Sequence, residues 1–237
     1  MRGRPWATVC PLPAGAQVTR DRLTARGRPV LAGLLGLDLR PGSKAAVLGL
    51  DSATRRRNRV NGTVVSATED ILSIAVEQCY GNCPQYIRTR DIRPPAAPVP
   101  LAEGKPVAIG DARVQRIISQ ADTFFIATHA TDGADVSHRG GVPGVLRQNA
   151  DGSLSFPDYA GNRYYNTLGN IEVSGRAGLL IPDFASGEAI FLTGRASVDW
   201  SPARAVAFAG AERVVDVQPE DNAFTPTLIE MFMVEAN

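Results

Sequence analysis

The sequence predicts an α+β fold of mainly antiparallel β-strands, arranged as two β-barrels in tandem with short helices. Short runs rich in β-branched and aromatic residues alternate with Asp-Gly and Ser-Gly turns. A proline-rich segment divides the chain, and the strand pattern that follows this segment also recurs before it. Short strands joined by tight turns favour antiparallel pairing over the parallel sheet of nucleotide-binding folds.

The composition is that of an ordinary folded protein. The chain has 237 residues, of which 44% are hydrophobic and 21% charged, with a formal net charge of +1. A nearly neutral chain lacks the global field that attracts nucleic acid or a membrane surface, so we expect neither as a partner. No apolar run is long enough to span a bilayer, and we expect a cytoplasmic protein. Three cysteines are too few for a disulfide scaffold, and no ligand spacing predicts a metal site.

The clearest boundary is the segment RPPAAPVPLAEGKP, residues 93–106, where five prolines favour an extended connector. We therefore predict a first half at residues 1–92, a linker at 93–111 and a second half at 112–237. Residues 44–62 align without a gap on residues 176–194.

This alignment has an offset of 132 residues and matches Gly62 with Gly194. Residues 3–7 match 133–137 at an offset of 130, and Gln78 matches Gln218 at an offset of 140. The preserved order predicts a tandem duplication of one barrel. Only two residues precede the match in the first half, so we expect that barrel to lack its opening strand.

The elements of the second half can be placed by their turn and capping residues. Asp111 is predicted to cap a helix, and Asp132-Gly133 to join two strands in a hairpin. Gly175 is a candidate helix C-cap, and Ser201 with Pro202 is typical of another helix start. Further signals are hairpin turns at Asp151-Gly152 and Ser186-Gly187, a last strand at residues 213–218, and a segment at 227–235 that suits either strand or helix.

The main candidate site is PDYAGNRYYNTLGN, residues 157–170, where a helix is predicted to start soon after a strand. A helix N-terminus presents unpaired N–H groups and the positive end of the helix dipole, which together favour an anion such as phosphate. We predict Asn162 as the cap, Arg163 as a fixed positive charge, and Asn166 and Thr167 as neutral donors. Arg139, in SHRGG, is a second candidate cation.

The alternative is a capped surface helix whose polar residues are merely solvated. In the first half, ARGRPVLAGLLGLDLRPG keeps an apolar helix but has no such polar cluster. This difference favours a ligand site used once per chain, although divergence of two copies would produce the same pattern.

Four segments together resemble the pyridoxamine 5'-phosphate oxidase-like family, the FMN-binding split barrels. These segments are FFIATHATDGADVSHRGG, LSFPDYAGNRYYNTLGNI, RAGLLIPDF and LTGRASV. RRRNRVNGTV and EQCYGNCPQYI resemble the companion half of two-barrel members. The resemblance implies tandem split β-barrels, with the first one shortened at its N-terminus. It also implies FMN in the cleft between the two halves.

The resemblance further implies which residues hold the cofactor. The flavin phosphate is expected at Arg139, with Ser137 and His138 beside it, and at the residues that open the helix. The whole expected cofactor-binding set is Ser137, His138, Arg139, Asp158, Asn162, Arg163, Asn166, Thr167, Asn82 and Cys83. Of the first half, Asn82, Cys83 and Tyr86 are expected to approach the far face of the flavin ring.

The chain also departs from this family. True pyridoxamine phosphate oxidases carry a basic motif near the C-terminus, but no Arg or His follows Arg213 here. A position that often offers Gln to the flavin holds Ala189. We therefore expect an FMN-dependent oxidoreductase acting on a small organic substrate, and not a true pyridoxamine phosphate oxidase. The catalytic residues stay unknown.

Two alternative functions stay open. One is a non-catalytic flavin-binding or storage module, and the other is a reductase for which a flavin or deazaflavin is a shuttling cosubstrate. A homodimer is also left open. The basic run TRRRNR, residues 54–59, suits phosphate or nucleic acid, but strand alternation favours solvated or inter-half ion-pairing roles.

Overall fold

The computed structural model describes residues 3–9, 16–26, 35, 39–68, 71–81, 84–90, 104–161 and 163–225. The described strands form two antiparallel sheets, and short helices accompany the second one. The predicted fold class, α+β and mainly antiparallel β, is confirmed. The described strands of the two sheets fall at residues 16–81 and 105–225, whereas the predicted domain limits stay a prediction.

The first sheet has five strands in the order β1-β2-β5-β4-β3. Their bounds are β1 Ala16–Val18, β2 Arg22–Arg26, β3 Lys44–Asp51, β4 Arg56–Ala67 and β5 Ile71–Gly81. Alternating apolar residues of β2, β4 and β5 point to one face, which buries Leu23, Val60, Val64 and Ile74 in a small core. β3 forms the edge of the sheet opposite β1, and it lies against β8 (Gly133–Gly140) of the second sheet.

The second sheet has eight strands, in the order β8-β7-β11-β12-β13-β10-β9, with β6 paired to β13. Their bounds are β6 Lys105–Pro106, β7 Thr123–Ala130, β8 Gly133–Gly140, β9 Arg147–Gln148, β10 Leu154–Tyr159, β11 Arg176–Pro182, β12 Ala189–Asp199 and β13 Ala211–Thr225. The turns predicted at Asp151-Gly152 and Ser186-Gly187 are confirmed, since each lies between two paired strands. The hairpin predicted at Asp132-Gly133 is also present, but its two loop residues are Thr131 and Asp132, because Gly133 already pairs with Ala130. Residues 227–235 lie outside the described part of the chain.

Three helices accompany this sheet in the described residues: α1 Ala112–Gln120, α2 Asn166–Ser174 and α3 Pro202–Ala205. Asp111 and Ser201 cap α1 and α3 as predicted, since each side chain accepts a backbone N–H of the first turn. Gly175 ends α2 in the left-handed conformation, with φ 64°. The main core lies between α1, α2 and the concave face of the sheet, and includes Phe124, Phe156 and Ile190.

The predicted start of α2 is wrong. We expected Asn162 as the cap, but the N-cap is Tyr165, which has φ 52° and makes no side-chain capping bond. Arg163 is also left-handed, with φ 59°. Two left-handed residues prevent a helical path before Asn166, and Asn162 itself lies outside the described residues.

The central hairpins of the two sheets share their register. Ala45 pairs with Gly62 in β3–β4, and Ala177 pairs with Gly194 in β11–β12. Both glycines lie at a β-bulge, where a Cβ atom would come within 1.9 Å of a carbonyl oxygen on the next strand. This shared geometry supports the duplication, which stays a prediction.

The bulge corrects one part of the predicted repeat. Asn61 pairs with Gln78, whereas the equivalent Thr193 pairs with Asp221. Equating the two bulges therefore gives this strand an offset of 143 residues, from 78 to 221, instead of the expected 140. The identity of Gln78 and Gln218 misled the alignment, because the two residues do not occupy equivalent ladder positions.

Candidate functional site

A buried polar network joins the two sheets. Arg59 of β4 donates from Nη1 to Oδ1 of Asp135 on β8 at 2.7 Å, and from Nη2 to Oγ of Ser137 at 2.8 Å. Thr167 of α2 donates to the same Ser137 oxygen at 3.0 Å. The Tyr80 hydroxyl of β5 accepts from Asn166 at 2.5 Å. Two of the predicted site residues, Ser137 and Asn166, are thus held by side chains of the first sheet, and Thr167 joins them through Ser137.

A cavity of about 110 Å³ lies beside this network, between β8, the end of β10 and the start of α2. Its charged lining consists of one carboxylate, Asp158, and four arginines: Arg57, Arg59, Arg139 and Arg163. Guanidinium groups remain protonated at any physiological pH. The excess of positive charge makes the cavity suitable for an anion.

The first turn of α2 borders the cavity through Asn166, Thr167 and Leu168. The N–H of Gly169 makes the first bond of the helix, to the Tyr165 carbonyl at 2.8 Å. The amides before Gly169 therefore have no acceptor within the helix. These amides add the positive end of the helix dipole to the charge of the arginines.

Some donors at the cavity have no partner in the structure. The Nε atoms of Arg59 and Arg139 are buried and make no hydrogen bond. Buried donors without acceptors are costly, and such groups in a folded protein call for a specific explanation. An anionic ligand in the cavity would provide the missing acceptors.

Asp158 neutralises part of this charge. Its Oδ1 accepts from Arg139 at 2.7 Å, and its Oδ2 accepts from Arg213 at 3.1 Å. Each carboxylate oxygen thus holds a different guanidinium. Arg139 keeps its remaining donors while its position is fixed from one side.

His138 is held neutral at this site. Burial, and then the positive charges of Arg57 and Arg139, lower the pKa of His138 to about 3. Its Nδ1 lies 3.2 Å from Arg57 Nη1. Because arginine only donates, Nδ1 accepts and the ring proton is assigned to Nε2.

Tyr86 of the first half closes one side of the cavity. Its ring stacks on Tyr159 with centroids 5.1 Å apart, and its hydroxyl donates to the Ala160 carbonyl at 3.2 Å. The Tyr86 carbonyl passes so near β8 that a Cβ on Gly140 would lie 2.2 Å from its oxygen. Glycine at position 140 therefore permits the first half to approach Arg139 closely.

A larger cavity of about 600 Å³ lies on the outer face of β10, β12 and β13. Its hydroxyl and charged groups bond to one another: Ser155 accepts from Asn149 at 2.7 Å and donates to Asp216 at 2.5 Å. In the described part of the chain, none of the unpartnered buried polar atoms belongs to its lining. The smaller cavity is therefore the stronger candidate.

The structure brings most of the predicted site residues together. Ser137, His138, Arg139, Asp158, Arg163, Asn166 and Thr167 line the small cavity, and so does Tyr86. Asn82, Cys83 and Asn162 lie outside the described residues. Assignment of this set to a cofactor stays a prediction.

Sequence reasoning left Arg57, Arg59, Tyr80 and Arg213 out of the expected site, although it noted that the basic run containing Arg57 and Arg59 suits phosphate. A signal for two of them was present, because Arg57, Arg59 and Asn61 lie on one face of β4 at the spacing of alternate strand residues. The inter-half ion pair expected for residues 54–59 occurs at Arg59. No local pattern distinguishes Tyr80 or Arg213.

Among the described residues, no three His, Cys, Asp or Glu side chains are placed to share a metal ion. None of the helices in the described ranges has the length and hydrophobicity that crossing a bilayer requires.

No family model and no curated protein sequence matches the chain. It is similar to HupZ from Group A Streptococcus, with 14% identity and a TM-score of 0.39 over 46% of this chain and 89% of HupZ. It is also similar to a FAD-binding protein from Mycobacterium smegmatis, with 9% identity and a TM-score of 0.38 over 51% of this chain and 95% of that one.

A third similar structure is a protein related to general stress protein 26, of the pyridoxinephosphate oxidase family, from Clostridium acetobutylicum. Its identity is 10% and its TM-score 0.35, over 49% of this chain and 87% of that one. Each of these solved chains matches about half of this protein. At such TM-scores, ligand and activity must be supported by the contacts of this chain's own residues.

Proposed function

We propose that this protein binds FMN between its two halves and acts as an FMN-dependent oxidoreductase on a small organic substrate. The flavin phosphate would occupy the small cavity. The observation that carries the proposal is the convergence of four arginines and the first turn of α2 on a cavity with a single carboxylate in its lining.

The residues present fit a phosphate group. A dianion would supply acceptors for the buried Nε donors of Arg59 and Arg139, and for the amides of the first turn of α2. Planar guanidinium groups match phosphate oxygens in geometry as well as charge. Arg59 and Arg57 come from the first sheet, so the proposed site requires both halves.

The tricyclic ring would lie outside the small cavity. Pockets that enclose a whole ligand of this size usually measure about 300–1,000 Å³, whereas this one measures about 110 Å³. Tyr86 and Tyr164 are 38% and 54% exposed and both line the cavity. They offer aromatic surface to a flavin ring whose phosphate is anchored beside Arg139.

A hydrophobic cluster at the positions that correspond to the polar network supports one site per chain. At the offsets found above, Arg59, Ser137, Thr167 and Tyr80 correspond to Phe191, Ala7, Leu35 and Ala223. All four of these counterparts are buried in one hydrophobic cluster. These four polar members of the network thus have apolar counterparts, and we propose a stoichiometry of one FMN per chain.

A bound flavin would supply the redox chemistry, and the residues of this chain would hold and orient it. Guanidinium groups and amides fix the phosphate end, and the aromatic side chains limit water at the ring. Because His138 is neutral at physiological pH, it provides a hydrogen-bonding group but no ionisable proton there.

The experiment is titration of the purified protein with FMN, followed by flavin absorbance and fluorescence after gel filtration. Wild type and Arg195→Ala, which removes a surface arginine 71% exposed, are expected to retain yellow colour. Arg139→Ala and Arg163→Ala are expected to be folded and colourless. Equal flavin retention in all four proteins would refute the phosphate assignment.

The lining of the cavity favours a second candidate, a flavin-binding or storage module without catalysis, because its one described carboxylate, Asp158, is already bonded to Arg139 and Arg213. Turnover separates the two functions. Bound flavin that is reduced by NADH or NADPH and reoxidised by a specific acceptor supports the enzyme. FMN that stays oxidised, or that exchanges freely on dilution without turnover, supports the module.

Exchange coupled to reduction would instead indicate a flavin or deazaflavin used as a cosubstrate. A cytoplasmic location and association into a homodimer belong to the same proposal. Cell fractionation and light scattering test these two points.

A further inference from the structure

Arg213 lies just behind the proposed phosphate site. It is on β13, directly opposite Asp158 in the β10–β13 ladder, and 13% of its side chain is exposed. Its Nη1 donates to Asp158 Oδ2 at 3.1 Å, while Arg139 donates to Oδ1 of the same carboxylate at 2.7 Å. Arg213 itself does not line the cavity.

Arg213 also contacts the residue that starts α2. The centre of its guanidinium lies 5.2 Å from the ring centroid of Tyr165 and 5.1 Å from that of Trp200. The Trp200 indole donates to Glu172 of α2 at 2.9 Å. Through Tyr165 and Trp200, Arg213 therefore connects β13 with both ends of α2, the helix that borders the cavity.

Tyr165 needs such a contact because its backbone is strained. It has φ 52°, a conformation in which a residue with a Cβ costs energy unless its surroundings hold it. The ring of Tyr165 on the Arg213 guanidinium provides this restraint. The restraint in turn sets where the helix begins and where its first amides point.

We propose that Arg213 is a positioning residue for phosphate recognition. It fixes Arg139 through Asp158, and it fixes the first turn of α2 through Tyr165. This inference rests on the proposed function. We expect Arg213 to affect binding of the phosphate end of the ligand and not binding of the flavin ring.

Removal of Arg213 has two expected effects. Asp158 becomes free to place both oxygens on Arg139, which draws that guanidinium towards β10 and lowers its availability. Tyr165 loses its cationic partner, so the left-handed start of α2 relaxes. Lysine keeps the charge but has no planar group to stack between two rings while bonding Asp158.

The experiment compares the dissociation constants of FMN and riboflavin, which share the ring but differ in the phosphate. Proteins measured are wild type, Arg213→Ala, Arg213→Lys and, as a charge-matched control, Arg195→Ala. Loss of interactions made by charged groups predicts that Arg213→Ala weakens FMN binding about tenfold or more. Riboflavin affinity is expected to change by less than about threefold, and Arg213→Lys to fall between Arg213→Ala and wild type.

Circular dichroism checks that each variant is folded, and Arg213→Lys carries the test if Arg213→Ala does not fold. Unchanged preference for FMN over riboflavin in the folded Arg213 variants would overturn the inference, and so would equal losses for both ligands. If wild type binds neither ligand, or binds both equally, the proposed function itself fails and this inference fails with it.

Discussion

The guanidinium of Arg59 and the carboxylate of Asp135 form an ion pair across the two sheets, 2.7 Å from Nη1 to Oδ1, with side chains only 5% and 2% exposed. Loss of one partner leaves the other charged and buried, which is more costly than absence of the pair. We therefore expect the pair to matter more for how the two sheets fit together than for net stability.

Asp135→Asn is expected to lower the free energy of unfolding by about 3–5 kcal/mol, because Arg59 then lacks its carboxylate. The double variant Arg59→Met, Asp135→Leu is expected to be more stable than either single variant. Urea denaturation measures all three. Glu77→Gln breaks an exposed pair with Lys44 and should cost less than about 1 kcal/mol. A loss that is no larger for Asp135→Asn than for Glu77→Gln would contradict the buried pair.

Acidification should destabilise the protein through His138. The pKa of His138 is about 3 in the folded protein, so the unfolded chain binds a proton between pH 6.5 and 3 that the folded chain does not. The stability is therefore fully present above pH 6.5 and is lost as the pH falls, by at most about 1.4 kcal/mol per pH unit. Urea titrations between pH 7 and 5 should show a smaller pH dependence for His138→Gln. The chain's other histidine, in His129→Gln, provides the control, and equal slopes in wild type and His138→Gln would rule out the effect.

Tyr80 is expected to ionise unusually late. Its burial raises the pKa of the phenol, and the nearby Asp135 raises it further. Ultraviolet titration to alkaline pH should therefore lose a transition above pH 10 in Tyr80→Phe. Tyr164→Phe, which alters a tyrosine 54% exposed, serves for comparison. A wild-type curve matched by Tyr80→Phe at its high-pH end would argue against the buried network.

The two glycine bulges should tolerate no side chain. Gly62→Ala and Gly194→Ala each place a methyl group 1.9 Å from a backbone carbonyl oxygen, so each is expected to cost about 1–3 kcal/mol or more. Gly169→Ala lies in α2, where a Cβ meets nothing within 4 Å. That variant should gain up to about 1 kcal/mol, because alanine is the better helix former. Thermal denaturation compares the three, and a neutral effect at both bulges would disprove the shared geometry.

Local sequence patterns predicted much of the fold. Asp132-Gly133, Asp111 and Ser201 indicate a hairpin and two helix starts by chemistry that acts within a few residues, and the structure contains all three. The start of α2 failed for the opposite reason. Arg163 and Tyr165 adopt left-handed conformations, and the ring of Tyr165 contacts Arg213, which is distant in the sequence, so no neighbouring residue indicates this start.

The candidate site shows the same division. Arg139, Asn166 and Thr167 were found from a strand motif and a helix start, and Ser137 from the family resemblance, whereas Arg59 and Tyr80 reach the site only because two sheets meet. The spacing of residues along the sequence does not show which strands of the two sheets come into contact. The alternation of Arg57 and Arg59 along β4 was a usable signal, but their partners on β8 are more than 70 residues away.

The N-terminal segment, residues 3–9, has a consequence for how the halves can be separated. Pro5 lies so close to β11 that a Cβ on Gly178 would be 2.2 Å from its carbonyl oxygen, and Ala7 is buried with Leu180 and Phe191. The N-terminal segment of the first half thus packs against the sheet of the second half. Proteolytic cleavage within residues 93–103 should therefore leave a nicked complex that still elutes as one species in gel filtration. The second half produced alone should aggregate, because an apolar face that the first half buries would be exposed to solvent.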